Sequence, residues 1–512
     1  MPARASAILL LLVALQSAAI ELPRDADKWF EVRADDIRIF TNASPAAAQN
    51  LAREVLRMRA AIGQVTNLEV RTPVTTRIFL FADERSFAPY RDAAFPGQGR
   101  AEGINGAFLS GEEQNVILLR GDAANVDRTV YHELAHYFVN NSLPSLPLWV
   151  REGLADYYST FRVSKDGIDI GLPVDSHVTW LRREPLVPLR ELVSVTLQSP
   201  MYNERRRAGA FYAQSWALVH YLLRGNQERR PQFFRYLQLT NAGEPLHEAF
   251  TAAFGIPYAK LEQELRDYVR KQTIHYARYT LDEVKIAEPP RPAPMPRDVL
   301  LYELGQLVSS LDLGLAANAA RFFEAALKEN PRNSSAWAYL GRVHAQLGRQ
   351  KESEAAFARA VEIGTDDGDV YFLLGRAIID RANNEAVVPQ AEVLKARAMF
   401  ARAVELQPDS LRAWQGLAVT YLHVEDDLAP GMAAAQRAIA LAPANELTTR
   451  VLGLLRERQH VRDINTAIEI ANRGQFAEAV AKLDRLIPTI RNQQILQDAR
   501  KLRDDMAKRV KR

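Results

Sequence analysis

The sequence predicts an α+β domain followed by an all-α solenoid of helical repeats. Short alternating and apolar segments come first, up to Arg120, and longer amphipathic ones follow. The run Glu288-Pro289-Pro290-Arg291-Pro292-Ala293-Pro294-Met295-Pro296 then interrupts all periodicity. Beyond it, one signature returns about every 34 residues. With 512 residues the chain exceeds what one core fills, so two or three domains are expected. A hydrophobic share of 47% with 25% charged residues is that of a soluble globular protein, and a net charge of +3 gives no reason to expect a nucleic-acid partner.

Taken in order, Arg4, the apolar run Ala7 to Leu15 and the small residues Ser17-Ala18-Ala19 form the three parts of a secretory signal peptide, residues 1–19. The run is shorter than the roughly 20 apolar residues of a membrane helix. Removal after Ala19 is therefore expected, leaving an exported periplasmic or extracellular protein with no stable membrane span. The absence of cysteine rules out disulfides and lipid attachment at a cysteine.

Trp29 to Phe40 alternates as a half-buried strand does, and Ala46 to Ile62 switches to helical period. Thr75 to Phe81 reads as a buried strand. Ala107-Phe108 and Val116 to Leu119 read as two more, around a Gly111-Glu112-Glu113 turn. Asp122 to Asn141 is expected to be a helix, and a small sheet preceding it gives the α+β class. Helical patterns dominate Val178 to Thr273, notably Phe211 to Leu223 and Tyr258 to Val269, so the first domain is placed at 20–286. Residues 287–298 are too proline-rich for a helix or central strand and are expected to be a stiff extended spacer.

Residues 299–490 carry the repeats. Leu301-x2-Leu304-Gly305, Trp337-x2-Leu340-Gly341, Tyr371-x2-Leu374-Gly375 and Trp414-x2-Leu417-Ala418 recur in phase. Each precedes a second-helix signature: Ala319-x3-Phe323 with Ala326 and Pro331; Phe357 with Ala360; Ala396-x3-Phe400 with Ala403 and Pro408; Ala435 with Ala438 and Pro443. These copies resemble tetratricopeptide repeats, whose stacked helix pairs form a superhelix with a concave face. The third copy has an insertion around Asn383 to Glu392, and a weaker fifth copy is expected from Ile464 to Pro488. Residues 491–512 read as a basic C-terminal helix or tail.

The chemistry concentrates at His132-Glu133-Leu134-Ala135-His136 and at Glu152, sixteen residues further on. On a helix, residues four apart share a face, so His132 and His136 can reach one metal ion. Glu152 supplies a carboxylate, and two imidazoles plus one carboxylate leave the open position that a catalytic zinc needs. Zn2+ is the expected cofactor. Glu133 stands beside the pair as a candidate general base. Asp156, four residues after Glu152, can accept the free ring N–H of a liganding histidine and fix its tautomer. A histidine pair at helical spacing can instead simply face solvent or cap an element. His220 reads as a packed histidine rather than a catalytic one.

Three segments together resemble the gluzincin peptidases, which have the zincin fold: His132 to His136, Trp149-Val150-Arg151-Glu152-Gly153-Leu154-Ala155-Asp156-Tyr157, and Tyr212 to Leu222. The resemblance covers roughly residues 100 to 225. It implies that His132, His136 and Glu152 bind zinc, that Glu133 is the base, that Tyr212 stabilises the oxyanion and that Asp156 supports His132. The spacing from His136 to Glu152 is shorter than in the aminopeptidases of that group, with Pro144 and Pro147 stiffening the loop. Ile104-Asn105-Gly106-Ala107-Phe108 could pair with a substrate backbone and lacks the glutamate with which aminopeptidases hold a free amine, which favours an endopeptidase. The expected partners are a peptide or protein substrate and a protein on the repeat groove. The alternative is an interaction scaffold whose metal domain is structural or inactive.

Overall fold

The structure, a computed structural model, describes residues 20–510 except 67, 69, 72–74, 96–102, 112–113, 124–125, 144, 165–166, 204, 281–285, 287, 384–387, 425–426 and 443–444, together with the side chains of 126–127, 164, 203, 205–206 and 313. The expected signal peptide lies outside the described residues. The chain divides into two compact units, one running essentially through Pro331 and the other from Arg332 onward, apart from two very short segments.

The first unit is built on a six-stranded sheet. Trp29 to Phe40, expected as one strand, is a hairpin of β1 (Phe30–Ala34) and β2 (Ile37–Thr41). The reversal falls at Asp35, whose φ of 56° is a left-handed conformation that aspartate tolerates better than most residues. Helix α1 (Pro45–Val65), capped by Ser44, leads to β3 (Thr76–Phe81), which is buried throughout. Helix α2 (Glu84–Ala94), which contains Pro89, was not among the expected elements; the Asp83 capping box starts it. β4 (Gly106–Ser110) and β5 (Asn115–Arg120) form the expected pair. β2, β3 and β5 run parallel, and β4 is the terminal strand beside β5.

The helix expected from Asp122 is α3 (Val126–Ser142). Before it, Arg120 pairs with Asp122 at 2.9 Å and the Ala123 amide turns back to the Arg120 carbonyl. After it come α4 (Leu148–Tyr158) and the strands β6 (Arg162–Ser164) and β7 (Gly167–Ile170). The helices α5 (Asp175–Arg183), α6 (Leu189–Val193), α7 (Pro200–Asn203), α8 (Arg205–His220), α9 (Arg229–Asn241), α10 (Leu246–Phe254) and α11 (Tyr258–Val269) follow. β8 (Ala277–Tyr279) joins β6 and β7 in a second, three-stranded sheet, held by buried Asp169 between Arg162 and Arg278. One apolar core runs from Val32 to Ile274 and joins the main sheet to α1, α3, α4, α8 and the later helices.

The boundary expected at Ile286 is not the boundary of the fold. Within the proline-rich segment, β9 (Ala293–Pro294) pairs antiparallel with Phe30 and Glu31, so the segment is an edge strand rather than a free spacer. Proline is tolerated there because an edge strand needs no donor on its outer side. Helix α12 (Arg297–Leu311), the first helix of the first repeat, also belongs to this unit together with α13 (Ala316–Glu329). Strand side chains alternate between faces, and Arg38, Phe40, Arg77, Phe79 and Phe81 share the face opposite the main core. Glu303 of α12, 2% exposed, pairs with Arg38 at 2.7 Å and Arg77 at 3.3 Å, and Arg77 donates to Gln306.

In the second unit, α14 (Ser334–Gln346) with α15 (Gln350–Ile363), α16 (Gly368–Ala382) with α17 (Gln390–Leu406), and α18 (Leu411–Thr420) with α19 (Ala429–Leu441) are helix pairs at the expected phase. A Cβ added at Gly341 would stand 2.9 Å from the Phe357 ring, so the glycine lets that helix pair close. The expected insertion lies between α16 and α17 and falls partly outside the described residues. The expected fifth copy differs: Ile464 continues α20 (Glu446–Asn472), a single uninterrupted helix, before α21 (Phe476–Leu486). The basic C-terminal segment forms α22 (Gln493–Val510).

Candidate metal centre

Helix α3 carries His132 and His136 one turn apart, and the packing of α4 against α3 brings Glu152 to them despite the short loop. The two Nε2 atoms lie 3.1 Å apart, and Glu152 Oε2 is 3.7 Å from that of His132 and 3.4 Å from that of His136. No other trio of metal-ligating side chains converges in this way among the described residues. A tetrahedral ion with bonds of about 2.0–2.1 Å holds its ligands about 3.3–3.4 Å apart, which is the size of this triangle. Two imidazoles and a carboxylate suit zinc, whereas calcium and magnesium favour oxygen ligands. The residues therefore fit a zinc ion.

Glu152 is placed by burial. Nearly all of α4 is inside, and Gly153 lets α8 lie against it, since a Cβ there would come within 2.5 Å of the Ser215 carbonyl oxygen. Burial pushes the Glu152 carboxyl up, but its interactions with His136 and His132 outweigh that and hold it at about 2. Glu133 is 7% exposed, and burial raises its carboxyl above the ordinary value. The Phe108 backbone amide hydrogen-bonds to it. β4 runs close to α3 at this point: a Cβ on Gly106 would stand 3.3 Å from Glu133 Cγ and 2.5 Å from Thr129 Cγ2.

Asp156 lies beside His132. Its Oδ1 is 3.2 Å from His132 Nδ1, so this nitrogen donates and Nε2 keeps its lone pair toward the trio. Two further donors reach Asp156 that sequence reasoning did not find: Arg128 Nη2 at 2.9 Å on Oδ1, and His177 Nε2 at 3.0 Å on Oδ2. Burial pushes this carboxyl up, yet the hydrogen bonds from His132 and His177 leave it far below the ordinary range. Tyr212 is half-buried on α8 and packs on the ring of Tyr202, with centroids 6.1 Å apart. Tyr202, also missed, places its hydroxyl 3.4 Å from Glu152 Oε1. Neither His177 nor Tyr202 belongs to a periodic pattern that would have drawn attention to it.

His220 is the packed histidine that its helical setting suggested. It is wholly buried, donates from Nε2 to the Gly171 carbonyl at 2.7 Å and accepts at Nδ1 from the Tyr268 hydroxyl at 2.8 Å. Burial lowers its pKa to about 4 from the ordinary 6.5. The unfolded chain thus takes up this proton first as pH falls. The contribution of neutral His220 to stability is complete above pH 6.5 and is lost as pH falls toward 4, a change of about 3 kcal/mol. Melting temperatures of the wild type and His220→Gln between pH 7 and pH 4 test this, with a steeper fall expected for the wild type. Parallel curves would remove His220 from the account.

A family model described as a tetratricopeptide repeat matches residues 306–368, so the C-terminal region carries such repeats. A second model, described as a protein of unknown function (DUF1570), matches residues 125–247, a span that contains His132, Glu133, His136, Glu152, Asp156, His177, Tyr202 and Tyr212. No curated protein matches the chain. Among solved structures, YrrB, described as a TPR protein with an unusual peptide-binding site, is 18% identical over 40% of this chain and 92% of its own, with a TM-score of 0.26. TTC0263, a thermophilic TPR protein of Thermus thermophilus, is 18% identical over 42% of this chain and 98% of its own, with a TM-score of 0.27.

Proposed function

We propose that the protein is an exported zinc-dependent endopeptidase of gluzincin type, whose repeats recruit a protein substrate or partner. The observation that carries this reading is the triangle of His132 Nε2, His136 Nε2 and Glu152 Oε2 beside the buried carboxylate of Glu133. Zinc, when bound, polarises a carbonyl and lowers the pKa of water. Glu133 takes a proton from the water that attacks the carbonyl carbon and passes it to the amine nitrogen as the C–N bond breaks. Tyr212 donates a hydrogen bond to the charge that develops on the carbonyl oxygen. Asp156 keeps His132 in the tautomer that presents Nε2.

β4 supports the choice of an extended peptide as substrate, because it ends the sheet and its Phe108 amide touches Glu133. No carboxylate lies between Ile104 and Phe108 to hold a free α-amine, which favours internal bonds. The helical repeats offer a surface for a protein, and tethering a substrate there raises its effective concentration. Export rests on the three-part pattern of residues 1–19; no helix among the described residues is long and apolar enough to cross a membrane.

Metal content per chain of the mature protein, wild type beside Glu152→Ala, tests the reading. About one zinc in the wild type and much less in the variant is expected. A folded wild type that holds no metal would move the assignment to a second reading, an interaction scaffold with an inactive metal domain. What favours that second reading is that the repeats are the part of the chain matched by a family of known architecture.

A further inference from the structure

His177, on α5, enters the metal centre from an element that none of the recognised motifs includes. We propose that His177 is a positioning residue which, through Asp156, holds His132 ready for a divalent metal ion; this rests on the metal-binding reading above. Asp156 bridges two imidazoles, with His132 Nδ1 on one oxygen and His177 Nε2 on the other. A carboxylate held at a single oxygen can rotate about its last bond. Donors on both oxygens fix the plane of the group, and with it the direction of the His132 ring.

The other external donor is the weaker anchor. The Arg128 side chain is 37% exposed, and it acts on the oxygen that His132 already uses, so solvent screens it and it does not restrain the second oxygen. The His177 side chain is 17% exposed. Its ring packs on Trp216 of α8, with centroids 5.8 Å apart, and Trp216 is 1% exposed. The orientation of His177 is thus set by the core. A chain of fixed groups runs from Trp216 through His177 and Asp156 to His132, and each link is a contact within the first unit.

The test is Zn2+ affinity of the full chain, measured by competition with a chromophoric chelator, for the wild type and for His177→Leu, His177→Asn and His177→Gln. The helical fold of each apo form is checked by circular dichroism. Leu cannot donate, and Asn is too short to reach Asp156, so both should bind zinc about tenfold more weakly, the lower end of the range for groups that support a ligand. The amide nitrogen of Gln reaches as far as Nε2 does, and His177→Gln should bind within about twofold of the wild type on the same account. A merely structural role would lower the apo melting temperature without this division between Asn and Gln. If His177→Leu fails to fold, the Asn and Gln pair decides. Equal affinity of wild type, Leu and Asn overturns the inference alone, whereas a wild type that does not bind zinc overturns the metal reading and the inference with it.

Discussion

Glu133→Gln is expected to reduce chelator-sensitive peptide cleavage by about a hundredfold or more while zinc content stays at the wild-type level. The amide has the shape of the carboxylate and can still accept from the Phe108 backbone, so β4 keeps its place beside α3. It cannot take up the proton of an attacking water. Glu133 supplies none of the three converging ligand atoms, which are those of His132, His136 and Glu152, and its loss therefore leaves the donor set intact. Measured kcat and bound zinc separate the two roles. Full cleavage by a zinc-loaded Glu133→Gln protein would refute the mechanism, and loss of zinc together with activity would make Glu133 a structural group.

The second large effect lies far from the metal. Glu303→Ala should destabilise the first unit by about 3 kcal/mol or more, because it removes a buried carboxylate that pairs with both Arg38 and Arg77. In a unit of this size, that amounts to a fall in melting temperature of about 5 °C. Glu303 sits in a segment that the repeat signature assigns to the solenoid, yet its ion pairs are with β2 and β3. The readout is a calorimetric scan of the full chain. A shift below about 2 °C would show that α12 contributes little to the sheet.

The convergence of His132, His136 and Glu152 was legible because it is set by local geometry. His132 and His136 are fixed by the helical repeat alone, and Glu152 with Asp156 follows on the next helix, one turn apart from each other. The strands β3, β4 and β5 were legible for a similar reason, since continuous or alternating apolar residues between turns specify them. His177 and Tyr202 were not, because their roles depend on where α5 and α7 dock rather than on any periodicity. The strands β6, β7 and β8 are too short to show alternation, and β8 is separated from its partner β7 by more than a hundred residues. The boundary at Ile286 failed because proline content reports only that a segment is extended. It does not report what the segment lies against. Ala293 and Pro294 form an edge strand with the same composition that a free spacer would have.

That edge strand also bears on the order in which the chain takes shape during synthesis. Phe30 in β1 meets Pro294, and the sheet face that carries Arg38 and Arg77 meets Glu303, so two sides of the first unit stay open until residues beyond Leu311 have left the ribosome. At about 5 to 20 residues per second, β1 exists for many seconds before its neighbour is made. Until then, the outer edge of β1 lacks its β9 partner and Arg38 and Arg77 lack Glu303. Pulse-labelled chains released at Ile286 should therefore be digested by protease faster than chains released at Pro331.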